Sequence, residues 1–230
     1  MSIFDAPCVF TSIEELRKRV DEPQFYQQIS NVYEAYGFHL LGFGDQGFRV
    51  MTSDQEIQQI ADFQGQKIRT MENAFHLDFW KAIGANPTPM TFSEVYIGLQ
   101  QGTIDAQENP YEVIVSGKLY EQQNYVIETN HLPHMLSLIT NQEFFTSLSS
   151  EQQRIITQAA ENAKVYAREQ ADIRIAQRLA IITQSGTKKI VLPKETQQAL
   201  IEASQPIYET IRETCGDALF EAYVRGVHNE

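Results

Sequence analysis

From Ser149 to Gln184 the chain reads SSEQQRIITQAAENAKVYAREQADIRIAQRLAIITQ, with neither Gly nor Pro to interrupt it. Such a stretch predicts a single helix of about 35 residues, roughly 50 Å long at 1.5 Å per residue. Ile156, Ala159, Ala160, Ala163 and Ala167 fall on one predicted face. That length exceeds the diameter of a small lobe. A coiled coil would need sustained apolar heptads, which this Ala-rich face lacks, so the expectation is a helix that bridges two lobes.

The rest of the chain alternates strand-like and helical segments, as an α/β sheet with largely parallel pairing would. Ser12 with Glu15 marks the start of a first helix, and a second runs from about Glu22 to Tyr36 and stops at Gly37. FHLLGFGD and GFRVMTSD read as two strands joined near Gly44 to Gly47, and Asp54-QEIQQIADFQ as a helix ending near Gly65. Gln66-KIRTMEN is the next predicted strand. AFHLDFWKAIG follows as a helix with Phe75, Phe79, Ala82 and Ile83 on one face. In TFSEVYIGLQ, Thr91 and Glu94 form a capping-box pattern, Phe92, Val95, Tyr96 and Leu99 repeat at helical spacing, and Gly102 is placed for a left-handed cap. NYVIETN, MLSLITN and KKIVL continue the sheet. Two closing helices are expected, at about Lys194 to Ala203 and Pro206 to Tyr223.

The formal charge is −12, from 18 basic and 30 acidic residues. Nucleic acid is therefore not an expected partner, because phosphate contacts need a basic face. A few arginines in a pocket can still hold an anion, since local charge outweighs the net value at contact distance. No apolar run reaches the length of a membrane span, and MSIFDAPCVFTS lacks the basic n-region of a signal peptide. Cys8 and Cys215, without CxxC spacing, read as small buried residues.

Two features hold candidate site residues. In QQGTIDAQENP, Pro110 restrains Asn109 toward extended backbone, while alternation sends Gln107 and Asn109 to one side and Glu108 to the other. From spacing alone this is either a strand-end turn or a polar wall for a ligand. Arg49 in GFRV and Arg69 in KIRT each lie within a predicted strand, near the ends where α/β sheets collect ligands. Each faces either water or a site, because an unpaired buried guanidinium is prohibitive. His131 and His134 in NHLPH lack a third partner and a regular spacing, so no metal is expected. No GxSxG, P-loop, GxGxxG or HExxH is present, and no enzymatic activity or cofactor is expected.

The blocks KIRTMEN, GANPTPMTFSEVYIGLQQGTIDAQENP and KLYEQQNYVIETNH, in this order, closely resemble the DctP-type solute-binding component of TRAP transporters. FDAPCVF, GFGDQGFRVMTS and LSSEQQRIITQAAENA extend the resemblance over essentially the whole chain. It implies a two-lobed, periplasmic-binding-protein-like α/β fold of type II-like form, with a long lobe-bridging helix. It also implies an extracytoplasmic protein that captures an organic acid in an interlobe cleft and delivers it to TRAP membrane permease subunits.

By position, Arg69 matches the family arginine that grips the ligand carboxylate, Arg49 a second arginine supporting the anion, Asn109 a cleft asparagine and Phe92 an aromatic wall. Glu72 matches a frequent polar contact. The division implied is residues 1–46 and 135–174 for a remnant of lobe I with the bridging helix, and 47–134 and 175–230 for lobe II. Family members carry further strands and helices before the segment matching FDAPCVF, so a chain like this is expected to have an incomplete first lobe, an open sheet edge and a tendency to associate. A carboxylate-sensing domain of a signalling protein, or a non-functional remnant, is the alternative.

Overall fold

The computed structural model describes residues 2–227. After a 3-10 turn (Ser2–Asp5) come α1 (Ile13–Asp21) and α2 (Pro23–Ala35). Ser12 Oγ accepts the Glu15 N–H at 3.1 Å, and Gly37, at φ +81°, ends the second helix.

The two predicted strands around Gly44 are one strand, β1 (Phe38–Ser53). Bulges between Leu40 and Gly42 and between Asp45 and Phe48 keep it paired along its length. Its glycines are set not for a turn but for close approach of the long helix, α7 (Ser150–Gln184). A Cβ on Gly42 would lie 3.4 Å from Lys164 Cδ, one on Gly44 3.9 Å from Ala167 Cβ, and one on Gly47 only 2.6 Å from Ile175 Cδ1.

The helix expected from Asp54 is confined to a 3-10 turn, Ile60–Phe63. The Asp62 carboxylate accepts the Gln58 and Gln59 amides at 2.9 and 3.0 Å, so the side chain competes with helical pairing there. β2 (Lys67–Thr70) and α3 (Ala74–Ala82) follow, the latter capped by Asn73. Phe79 and Ile83 are buried as expected, but His76 and Trp80 are buried beside them while Ala82 is exposed. Next is β3 (Asn86–Pro89), which the sequence reading missed because NPTP looks like loop. As the outermost strand it tolerates prolines.

In α4 (Phe92–Gln100), Thr91 holds the N-cap position, but its hydroxyl donates to the Glu94 carboxylate at 2.6 Å rather than capping the backbone. Gly102, at φ +68°, forms the left-handed cap. β4 (Ala106–Pro110), α5 (Tyr111–Ser116) and β5 (Tyr125–Asn141) come next, then α6 (Gln142–Ser147), α7, β6 (Lys188–Val191), α8 (Lys194–Cys215) and α9 (Asp217–Val224). NYVIETN and MLSLITN are thus parts of one 17-residue strand. Pro206 lies inside α8, and the expected break falls instead at Gly216, at φ +86°.

The sheet runs β3-β2-β4-β1-β5-β6. β3, β2 and β4 are mutually parallel, as are β5 and β6, but β1 is antiparallel to both neighbours, so the pairing is mixed rather than largely parallel. One core cluster joins Met51, Ile68 and Ile127 to Phe79 and Trp80 of α3 and to residues of α1, α2, α8 and α9. A smaller one joins Val50 and Val126 to Val95, Leu99 and Ile114. Alternation along the strands places these clusters on opposite faces of the sheet.

α7 begins with a capping box of Ser149 and Gln152. Ala160, Ala171 and Ile182 are its buried residues, whereas Ala159, Ala163 and Ala167, expected to share the packed face, are exposed. Polar contacts hold it along its length. Arg168 pairs with Asp21 and donates to Phe43 O, Arg17 joins Asp45 of β1 to Asp172, and Arg178 reaches Glu112 of α5. Cys8 is buried, and burial pushes its thiol up to about 12, opposed by a hydrogen-bond contact with Ser204. The Cys8 thiol is thus an unreactive form at neutral pH.

Candidate functional site

Parallel β3, β2 and β4 end on one side of the sheet, and that edge collects the candidate residues. Arg69 on β2 stands opposite Gln107 of β4 and Thr88 of β3, and Arg49 on antiparallel β1 stands opposite Pro110. Such carboxyl edges are where α/β folds place ligands.

Arg49 is almost wholly buried, and each of its three nitrogens has a partner. Its Nε and Nη2 donate to the two carboxylate oxygens of Glu108 at 2.5 and 2.9 Å. Nη2 also meets Glu108 O and Asn109 Oδ1, at 2.8 and 3.0 Å. Glu108 in turn accepts from His131 Nε2 at 3.1 Å, and His131 Nδ1 lies 2.8 Å from Thr129 Oγ1. Burial favours the neutral imidazole, and Glu108 sets its proton on Nε2, so Nδ1 accepts from the Thr129 hydroxyl; the ring packs flat on Phe79 at 5.4 Å and edgewise on Trp80 at 5.0 Å. Burial by itself would raise the Glu108 carboxyl, but Arg49 and the bonds from His131 outweigh it and hold Glu108 well below the usual carboxylate range. Burial lowers His131, partly opposed by Glu108.

Arg69 differs. It is 4% exposed, yet no carboxylate pairs with it among the described residues. Nε and Nη2 donate to Met90 O at 2.9 and 2.7 Å, and Nη1 makes no hydrogen bond there. Burial lowers its pKa, with Glu108 opposing and Arg49 adding to the effect. Phe92, at the first turn of α4 and 45% exposed, lies under the guanidinium at 5.9 Å from ring centroid to Cζ. Its ring tip packs on Gly117, where a Cβ would come within 3.1 Å.

Asn109 donates from Nδ2 to Gln107 Oε1 at 2.7 Å, and Gln107 Nε2 donates to Thr52 Oγ1 at 2.9 Å. Asn109 and Gln107 do share a side, while Glu108 turns to Arg49 and His131. The structure thus brings Arg49, Asn109, Arg69 and Phe92 to one edge. Glu72 lies just beyond β2, exposed and without a hydrogen bond or ion pair among the described residues. Sequence reasoning missed the buried Arg49–Glu108–His131 unit. The available signal was the alternation that sets Glu108 opposite Asn109, together with an Arg on a neighbouring strand.

No group of three or more His, Cys, Asp or Glu able to hold a metal ion occurs among the described residues, and no helix there is long and apolar enough to cross a membrane.

The model of the bacterial extracellular solute-binding protein family 7, DctP, matches residues 1–214. The chain is 31% identical over 213 residues to an uncharacterized protein of Haemophilus influenzae, covering 90% of this chain and 63% of that one. It is 38% identical over 154 residues to the ectoine-binding periplasmic protein TeaA of Halomonas elongata, covering 66% and 45%. With the 2,3-diketo-L-gulonate-binding periplasmic protein YiaO of Escherichia coli it shares 34% over 169 residues, covering 73% and 51%. Among solved structures, the Halomonas elongata ectoine-binding protein superposes with a TM-score of 0.87 at 32% identity, covering 97% of this chain and 75% of that one. A TRAP solute-binding protein of Haemophilus influenzae with bound L-gulonate gives 0.85 at 28%, covering 96% and 73%.

The sheet and bridging helix are those of a two-lobed α/β binding protein. The chain belongs to the extracellular solute-binding protein family 7, the DctP family, whose members are periplasmic solute-binding proteins. It spans about half to two thirds of the length of these three relatives.

Proposed function

We propose that this chain is the solute-binding part of a TRAP transporter and takes an organic acid at the carboxyl edge of β2 and β4. The observation that carries this reading is Arg69. A guanidinium largely withdrawn from water, tethered only through one carbonyl, without a carboxylate among the described residues and with Nη1 unbonded yet not sealed off, keeps a donor edge that a ligand carboxylate would take up. Its planar fork suits that group, and Phe92 supplies an apolar face beside it.

Asn109 retains one N–H and one lone pair for the ligand after its bonds to Gln107 and Arg49. Arg49 has its Nε and Nη2 edge taken by Glu108, so its part is to fix Asn109 and leave charge near the anion rather than to grip it with two bonds. Glu72, exposed beside Arg69's strand, is an outer polar contact. The lobe division follows the sequence: 1–46 and 135–174 with lobe I and the bridging helix, 47–134 and 175–230 with lobe II. Closure of lobes over the acid would strengthen the Arg69 pair by excluding water. Membrane permease subunits are the receiving partner, the compartment is periplasmic, and no chemical conversion is involved.

A relative named for 2,3-diketo-L-gulonate, and solved structures holding L-gulonate or galactonate, put sugar acids beside C4-dicarboxylates in the panel to test. A thermal-shift screen of such acids checks the reading: at least one acid should raise the melting temperature in a concentration-dependent way, as ligand linkage requires. A flat response to every carboxylate would refute it.

A further inference from the structure

NHLPH places a second imidazole at this edge that the acid-binding reading leaves without a task. Leu132 stands opposite Arg49, and His134, two residues on along β5, shares its face and brings its ring beside Arg49. Arg49 Nη1 lies 3.4 Å from His134 Nδ1. A guanidinium can only donate, so Nδ1 must carry the lone pair of this bond, and the imidazole must be neutral with its proton on Nε2. Nε2 lies across the ring from Nδ1, hence Nε2–H is directed away from Arg49. No hydrogen bond holds it among the described residues, nor is Nε2 one of the buried polar atoms lacking a partner, so it is open to solvent. The result is an unused donor on a half-buried ring, next to an arginine whose three nitrogens each already have a partner.

We infer that His134 is a specificity-determining residue, whose Nε2–H donates to an oxygen substituent of the bound acid: a hydroxyl, a carbonyl or a second carboxylate. This rests on the acid-binding reading above and adds a preference within it, for oxygen-substituted acids over plain alkyl carboxylates.

The charged groups that face the ring are Arg49 of β1 and Glu108 of β4. Protonating Nδ1 would set a second cation against Arg49 and lose the bond between them. Burial, with Arg49, accordingly lowers His134, opposed by Glu108. The neutral, Nε2–H form therefore holds through neutral pH. A donor of fixed direction discriminates more sharply than apolar contact, because an acid without the matching oxygen leaves the donor unpaired once the site is closed.

Calorimetric titration with matched pairs, succinate against butyrate and lactate against propionate, tests this on the wild-type protein and on His134→Ala and His134→Asn. The expected result is an affinity loss of about tenfold or more for the oxygen-substituted member in His134→Ala, under threefold for its partner, with part of the loss restored by the amide donor of His134→Asn. Equal losses within each pair, or no loss, would overturn the inference while leaving the acid site standing. If the wild-type protein bound no acid at all, both readings would fail. Long-range proton–nitrogen NMR spectra, with His134→Asn assigning the signal, give a ligand-free check: Nε2 should be the protonated nitrogen at pH 7, and an Nδ1–H tautomer would overturn the inference by itself.

Discussion

Arg49 and Glu108 face each other across β1 and β4 as a two-point ion pair from which water is almost entirely excluded, the side chains being 4% and 0% exposed. Neither charge has an alternative partner of equal quality, so removing one strands the other. Glu108→Ala should lower the unfolding free energy by about 3–5 kcal/mol, as loss of one member of a buried pair does. Urea denaturation measures this. A change below about 1 kcal/mol would mean that the pair is solvated.

The same unit sets a pH dependence. Glu108 is held below its unfolded value of roughly 4.3, and His131 and His134 are held below theirs of roughly 6.5. In all three cases the unfolded chain binds more protons in the window between the two values, so stability rises with pH there. The histidine contributions are complete above about pH 6.5 and are lost as pH falls through their folded values, whereas that of Glu108 begins to be lost only below about pH 4.3. Melting temperature should therefore fall in two stages from pH 7.5 to pH 3. Glu108→Gln should flatten the lower stage, and a lower stage that persisted in this variant would assign it elsewhere.

Gly47 allows α7 to lie against the bulge of β1. At φ +75° an alanine is strained by about 1–2 kcal/mol, and its Cβ would also meet Ile175 Cδ1 at 2.6 Å. Gly47→Ala should destabilise by at least that amount. Ile175→Val deletes the clashing methyl, so the double variant should cost less than the sum of the two single ones. Strict additivity, in chemical denaturation of all three, would show that the helix does not rest on this glycine.

Much of the fold was readable from sequence because it depends on local rules. The uninterrupted run to Gln184 gave α7 its length, and Gly37 and Gly102 stop helices as their left-handed backbone requires. What escaped was decided by tertiary pairing. LGFGDQGF has the composition of a turn, and only the presence of α7 shows that its glycines clear space for a helix. NPTP is a strand only because it sits at the sheet edge, and Pro206 is helical because its neighbours in α8 are packed.

At the site, the positions of Arg49, Arg69, Phe92 and Asn109 at one edge were expected. The unequal roles of the two arginines were not. Sequence spacing cannot show that Glu108 crosses to occupy Arg49 and leaves Arg69 without a carboxylate partner among the described residues.

That asymmetry is the centre of the account, and calorimetry of Arg69→Ala against the tightest-binding acid from the screen tests it most directly. Arg69 pairs with no carboxylate among the described residues, so its loss should barely move the melting temperature while weakening the acid by about 2–5 kcal/mol, thirtyfold or more. An Arg69→Ala protein that is folded and binds the acid with wild-type affinity would contradict the account.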